Sequence, residues 1–123
     1  MQPRLDRPLI WMGSSRKDVQ DFPEPVKDTV GFALRLAQQG LHPPSAKMLK
    51  GFGGVVELVE DFDGDTYRAV YTARFGSEVY VLHCFKKKSK SGIKTPQHDI
   101  ELIRNRLRDA EVIHAARQQE SKP

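Results

Sequence analysis

The sequence is short of the features that mark secreted, membrane-spanning and metal-dependent proteins. Its one cysteine, Cys84, has no partner for an internal disulfide. It falls in an apolar run, so a buried thiol in a reducing, cytoplasmic setting is expected. No apolar run approaches the roughly 20 residues that a membrane-spanning helix needs. The opening MQPRLDRPLIWMG is too short and too charged in its apolar part to read as a signal peptide. There is no Walker loop, no dinucleotide fingerprint and no metal-ligand spacing; His42, His83, His98 and His114 are scattered. Neither a cofactor nor a metal is expected. No internal repeat is visible.

What is present fits one domain. A chain of 123 residues buries one modest core, and 38% hydrophobic with 29% charged residues is ordinary for a globular protein. The net charge of +4 permits a nucleic-acid partner without requiring one.

Leu9 to Met12 is a short apolar run that fits a first strand. Ser14 or Ser15 offers an N-cap, with Asp18 in a weak capping box, for a helix of about two turns that turns Val19 and Phe22 inward. Pro23 and Pro25 end that helix and suit the first turn of the next. Val26, Val30, Ala33, Leu34 and Ala37 recur at helical spacing until Gly40. The two helices make an N-terminal helical hairpin. His42 to Gly54, rich in proline and glycine, reads as loop. Lys47 and Lys50 add positive charge to it.

Val55 to Val59 reads as a strand, and Asp63-Gly64 as a hairpin turn. Asp61, Asp63 and Asp65 alternate like the start of a calcium loop. The glycine precedes the third acid, however, and the twelfth position is Thr72, so a solvated turn is expected instead. Thr66 to Phe75 and Glu78 to Phe85 complete an antiparallel meander. Strict alternation puts Tyr67, Ala69, Tyr71 and Ala73 on one face and Arg68, Val70, Thr72 and Arg74 on the other. It likewise separates Val79, Val81, His83 and Phe85 from Tyr80, Leu82 and Cys84. Lys86 to Lys94 holds five lysines and no acid, and reads as a basic loop. Thr95-Pro96 opens a final amphipathic helix carrying Ile100, Ile103, Leu107 and Ala110 inward. Arg104, Arg108 and Glu111 lie on its other face. Acids and bases balance from Gln97 onward, which confines the expected positive patch to the lysine loop. Ser121 to Pro123 reads as a frayed tail.

Arg68 stands mid-strand in apolar company, where an unpaired charge is costly. Two readings stand side by side: a structural pair with Glu57 on the neighbouring strand, or a guanidinium on the floor of a cleft facing a phosphate. Lys86, Lys87 and Lys88 leave the next strand in alternating directions, so at least one faces the same cleft. Such a site can cleave RNA without a metal: cations stabilise the pentavalent phosphorane, and His83 or Lys86 can move protons.

The segments YRAVY, VYVLHCFKKKSKSGIKTP and DIELIRNRL resemble the RelE/ParE superfamily of bacterial type II toxins, in its phage-related HigB- and Tad-like branch. LIWMGSSRKDVQDFP and LKGFGG are similar to the same branch, and the resemblance spans roughly residues 8 to 115. It implies an α+β fold: an N-terminal helical hairpin packed on a small antiparallel sheet, with a C-terminal helix. It also implies an mRNA interferase that cuts mRNA on the ribosome and is held in check by a cognate antitoxin, often of helix-turn-helix type. By position, Arg68 matches the strand arginine of RelE-type sites, and Lys86, Lys87 and Lys88 match the basic segment after the last strand. His83 and Glu57 join them as catalytic candidates, with Lys47, Lys50, Arg74, Lys90 and Lys94 as nucleic-acid contacts. RelE carries lysines on the strand that here reads VVELV, and its late tyrosine has no match after Lys88. A ParE-like inhibitor of DNA gyrase, or a non-catalytic nucleic-acid-binding protein, therefore remains open.

Overall fold

The computed structural model describes residues 6–88 and 95–120, with Lys88 described by its backbone alone. Lys90, Lys94 and the segment 121–123 lie outside the described residues. Five strands form one sheet in the order β1-β5-β4-β3-β2: β1 Leu9–Trp11, β2 Ala46–Met48, β3 Val55–Phe62, β4 Asp65–Thr72 and β5 Val79–Lys88. The three helices are α1 Ser15–Gln20, α2 Glu24–Gln38 and α3 Gln97–Glu120. This is the α+β architecture expected from the resemblance, with a helical hairpin and a C-terminal helix packed on one sheet.

The helical hairpin covers one face. Val19 and Phe22 of the α1 segment, and Val26, Val30, Ala33, Leu34 and Ala37 of α2, pack on Val56, Leu58, Tyr67, Ala69, Tyr71, Val79, Val81 and Cys84. α3 covers the other face, where Ile103, Leu107 and Ala110 meet Val55, Val70, Tyr80 and Leu82. Chain economy explains the turn between β3 and β4: Asp63 (φ +51°) and Gly64 (φ +84°) are both left-handed, as a two-residue hairpin requires.

Three details differ from the sequence reading. The first is β2, which lies inside the segment read as loop. It pairs antiparallel with β3 through Ala46↔Leu58, Lys47↔Glu57 and Met48↔Val56. Three residues between Pro43-Pro44 and a glycine cluster are too few to show an alternation. Secondly, Lys86 to Lys88 remain in strand, opposite Tyr67, Thr66 and Asp65. The third is a bulge in β5. Val70 pairs with His83, yet Tyr71 pairs with Val81, so Leu82 is an extra residue. One inserted residue reverses the alternation after it. His83 and Phe85 consequently join Tyr80 and Leu82 under α3, while Cys84 turns to the hairpin face. Beyond these three, β1 closes the sheet as a parallel neighbour of β5 through Leu9↔Val79, Ile10↔Tyr80 and Trp11↔Val81.

Ile103 is fully buried under the sheet, whereas Val112 on the same helix is 66% exposed. Truncating Ile103 to alanine is expected to cost about 2–5 kcal/mol. Val112→Ala should stay within about 0.5 kcal/mol of the native chain. Urea unfolding midpoints measure both.

Candidate functional site

The register places Glu57, Arg68 and Lys47 on the α3 side of the sheet. Lys47 pairs with Glu57 and Val59 with Arg68, and cross-strand partners share a face. Arg68 Nη1 donates to Glu57 Oε2 at 2.9 Å, and the two side chains are only 7% and 11% exposed. Thr95, just before α3, donates through Oγ1 to the same carboxylate oxygen at 3.3 Å. The Arg68 guanidinium also donates to Thr95 Oγ1 at 3.4 Å. Of the two sequence readings of Arg68, the structural pair with Glu57 is the one seen directly. The pair stands on the floor of a cleft of about 480 Å³ lined by Lys47, Met48, Leu49, Lys50, Glu57, Arg68, Thr95 and Ile100. Lys47 and Lys50 are exposed on its rim. The short strand β2 and the turn that follows it make one wall; the start of α3 makes the other.

This cleft gathers four of the residues singled out from the sequence: Glu57, Arg68, Lys47 and Lys50. Thr95 was seen there only as a helix cap. Its role as the third member of the Glu57–Arg68 cluster depends on where α3 begins, which no spacing in the sequence reveals.

Other singled-out residues lie elsewhere. Lys86 pairs across from Tyr67 and points to the hairpin face. There it lines a separate cavity of about 400 Å³ with Asp18, Asp21, Phe22 and Tyr67, and its Nζ lies 3.8 Å from Asp65. Lys87 pairs across from Thr66, on the Arg68 side of the sheet. Arg74 is engaged with Glu111 and donates to the Gly53 carbonyl at 2.8 Å. Cys84 is 1% exposed, and burial pushes its thiol up to about 12.

His83 sits beneath α3, 5% exposed. Its Nε2 is 2.6 Å from Asp99 Oδ1, and its Nδ1 is 3.2 Å from Arg106 Nη1. One assignment satisfies both contacts: Nε2–H donates to the carboxylate and Nδ1 accepts from the guanidinium. The imidazole is then neutral, with both nitrogens used within the fold. Burial lowers its pKa, and the Arg106 charge adds to that; the hydrogen bond and charge of Asp99, with Asp18, pull the other way and do not prevail. Further along α3, the buried carboxylate of Glu78 accepts from Tyr80 at 2.8 Å and contacts His114 at 3.1 Å. Burial alone would raise the Glu78 pKa. Hydrogen bonds from Ser77, His114 and Tyr80, with the charge of Arg117, outweigh it and hold the group below the usual range.

Among the described residues, no group of three or more His, Cys, Asp or Glu side chains is placed to hold a metal ion. No helix among them is long and apolar enough to cross a membrane.

Comparison with known proteins agrees with this geometry at the level of family and fold. The family model described as Phage derived protein Gp49-like matches residues 17–108, a span that includes the whole cleft. No curated protein matches the sequence. The structure is similar to that of a mutant of the E. coli toxin RelE in the free state, with a TM-score of 0.55 and 14% identity. That match covers 85% of this chain and 98% of the other. The toxin–antitoxin complex RelBE2 from Mycobacterium tuberculosis contains a chain matched at a TM-score of 0.44 and 18% identity, over 65% of this chain and 96% of that one. At such identities the likeness concerns the fold.

Two outcomes follow from the buried charges. Arg68→Ala leaves the Glu57 carboxylate uncompensated and should cost about 3–5 kcal/mol. The double change Arg68→Met with Glu57→Leu should recover most of that loss in the same urea titration. For His83, the unfolded chain takes up a proton as pH falls through 6.5 while the folded chain resists it. Its contribution is therefore flat above that pH and turns unfavourable below it. Thermal melts at descending pH should show this loss, and His83→Gln should flatten it.

Proposed function

The chain belongs to the Gp49-like family of phage-derived proteins, and on that premise we propose that it is the toxin of a type II toxin–antitoxin pair, an endoribonuclease that cuts mRNA on the ribosome. The observation that carries the reading is the cleft itself. A guanidinium on its floor lies beside a carboxylate, under two rim lysines. In-line cleavage of RNA needs this combination: a base for the ribose hydroxyl, and cations for the charge that accumulates on phosphorus.

In this mechanism Lys47 and Lys50 draw the RNA backbone into the cleft and Arg68 faces the scissile phosphate. The 2′-oxygen attacks phosphorus and gives its proton to the Glu57 carboxylate, which Arg68 and Thr95 hold in place. As the 2′-oxygen–phosphorus bond forms, the phosphorus–5′-oxygen bond breaks, leaving a 2′,3′-cyclic phosphate. A rim lysine ammonium supplies the proton to the departing 5′-oxygen. Arg68 carries the transition-state charge, in a site where surrounding protein has replaced water. Glu57 thus fills the position at which RelE-type strands present lysines. A cognate antitoxin, of helix-turn-helix type, belongs with this reading, and so does action in the cytoplasm, where the ribosomes are.

Expression of the native chain should arrest translation, and primer extension should reveal new 5′ ends within transcripts. Glu57→Gln keeps the shape of the carboxylate and Arg68→Lys keeps the positive charge at the cleft floor, and each should lower the cleavage rate about 10²–10³-fold. Melting curves check that both variants fold. Growth arrest with intact transcripts and blocked supercoiling would replace this reading with gyrase inhibition.

A further inference from the structure

The turn that closes the cleft has a second side. Leu49 and Lys50 line the cleft; Gly51, Phe52 and Gly53 line a neighbouring groove of about 290 Å³ together with Arg74, Arg104, Leu107, Arg108 and Glu111. Ile100 of α3 lines the cleft, while Arg104 and Arg108 lie one and two turns further along the same helix. At 1.5 Å per residue, Ile100 and Arg108 are separated by about 12 Å along the helix axis. The cleft and the groove are thus successive parts of one trough between the turn and α3.

The walls of the groove are built rather than loose. Thr72 Oγ1 donates to the Gly54 carbonyl at 2.6 Å, and Arg74 donates to the Gly53 carbonyl at 2.8 Å. Gly54 has φ +72°, and a Cβ there would lie 2.8 Å from Arg74 Cβ, so the turn closes only with glycine at that point. Arg74 is also engaged by Glu111, which neutralises both charges and makes Arg74 a positioning residue. Among the described residues, Arg104 and Arg108 make no ion pair and carry the groove's positive charge. The guanidinium carbon of Arg104 sits over the Phe52 ring, 5.0 Å from its centroid, within cation–π range. Gly51 and Gly53 have nothing within 4 Å of where a Cβ would be, so another backbone can approach closely. A planar cation on an aromatic ring beside an open glycine backbone is a platform for an unstacked nucleobase, and Arg108 one turn away suits its phosphate.

We propose that the Phe52–Arg104–Arg108 groove is a subsite for single-stranded RNA, holding a nucleotide beyond the two that flank the phosphate over Arg68. The inference rests on the RNA-cleaving reading of the cleft and extends it to substrate length. The subsite makes binding depend on a base beyond the scissile step. It supplies affinity by stacking, which every base can provide, and adds little choice among sequences.

The test uses the full chain and 2′-O-methyl oligoribonucleotides, which lack the attacking hydroxyl and remain uncut. Fluorescence anisotropy should show an octanucleotide binding more tightly than a dinucleotide. Arg104→Ala should weaken the octanucleotide about tenfold and leave the dinucleotide unchanged. Arg108→Ala, at an exposed position, should reduce the slope of log affinity against log salt by about 0.7. Phe52→Ala should follow Arg104→Ala, with a melting curve to show that it folds. Equal affinity for the two oligonucleotides, or unchanged octanucleotide affinity in Arg104→Ala and Arg108→Ala, overturns the subsite. Transcripts cut as before in such variants would leave the cleavage reading standing without it. Groove-dependent binding by a chain that cuts no transcript would keep the subsite and remove the nuclease.

Discussion

The Glu57–Arg68 pair is the constraint around which the α3 side of the sheet is arranged. Two charges placed mid-sheet are costly to desolvate, and their mutual attraction offsets that cost only when the remaining hydrogen-bonding capacity is used as well. Thr95 supplies part of that capacity, contacting both Glu57 and Arg68. This contact fixes where α3 must begin, and Ile103 and Leu107 then follow over Val55, Val70, Tyr80 and Leu82. A hydrophobic pair at the same positions would stabilise the sheet at least as well. Retaining ions there has a stability cost that packing does not explain; on the RNA-cleaving reading proposed above, they are kept to face a phosphate.

The bulge at Leu82 does comparable work on the next strand. Without it, His83 would point to the helical hairpin and Cys84 to α3. With it, His83 reaches Asp99, and Arg106 can donate to both the Leu82 carbonyl and His83 Nδ1. The first half of α3 is thereby tied to β5, and the Glu78–His114 contact ties the second half. Gly13 belongs to this arrangement: with φ +53°, a Cβ there would lie 2.6 Å from Arg106.

Sequence reasoning reached the order of every element except β2, the hairpin turn at Asp63-Gly64 and most of both core faces, because those follow from periodicity and turn chemistry. It offered Glu57 on the neighbouring strand as one of two readings of Arg68, and the two side chains do meet, although Val59 is the residue directly opposite Arg68. It failed where one residue changes a period. Nothing in VYVLHCF distinguishes Leu82 as the bulged position, so His83 and Cys84 were assigned to each other's faces. It also failed at β2, which is too short to carry a pattern. Counting charges along Gln97 to Pro123 gave balance, whereas the helix sorts them by face and turns Arg104 and Arg108 toward the Leu49–Gly54 turn.

That sorting bears on how the two sides of the sheet differ electrically. On the hairpin side, Lys86 shares its cavity with Asp18 and Asp21. Its charge is matched there, and an arriving phosphate would meet carboxylates. On the α3 side, Lys47, Lys50, Arg68, Arg104 and Arg108 face a trough in which Glu57 and Glu111 are each already engaged by an arginine. The lysines after β5 drew attention because they are consecutive in sequence. The cations that converge in space come from β2, β4, the turn at Lys50 and α3, and no run of residues announces them. A polyanion approaching this protein is steered by the field of that convergence, so the face beneath α3 is where its backbone should settle.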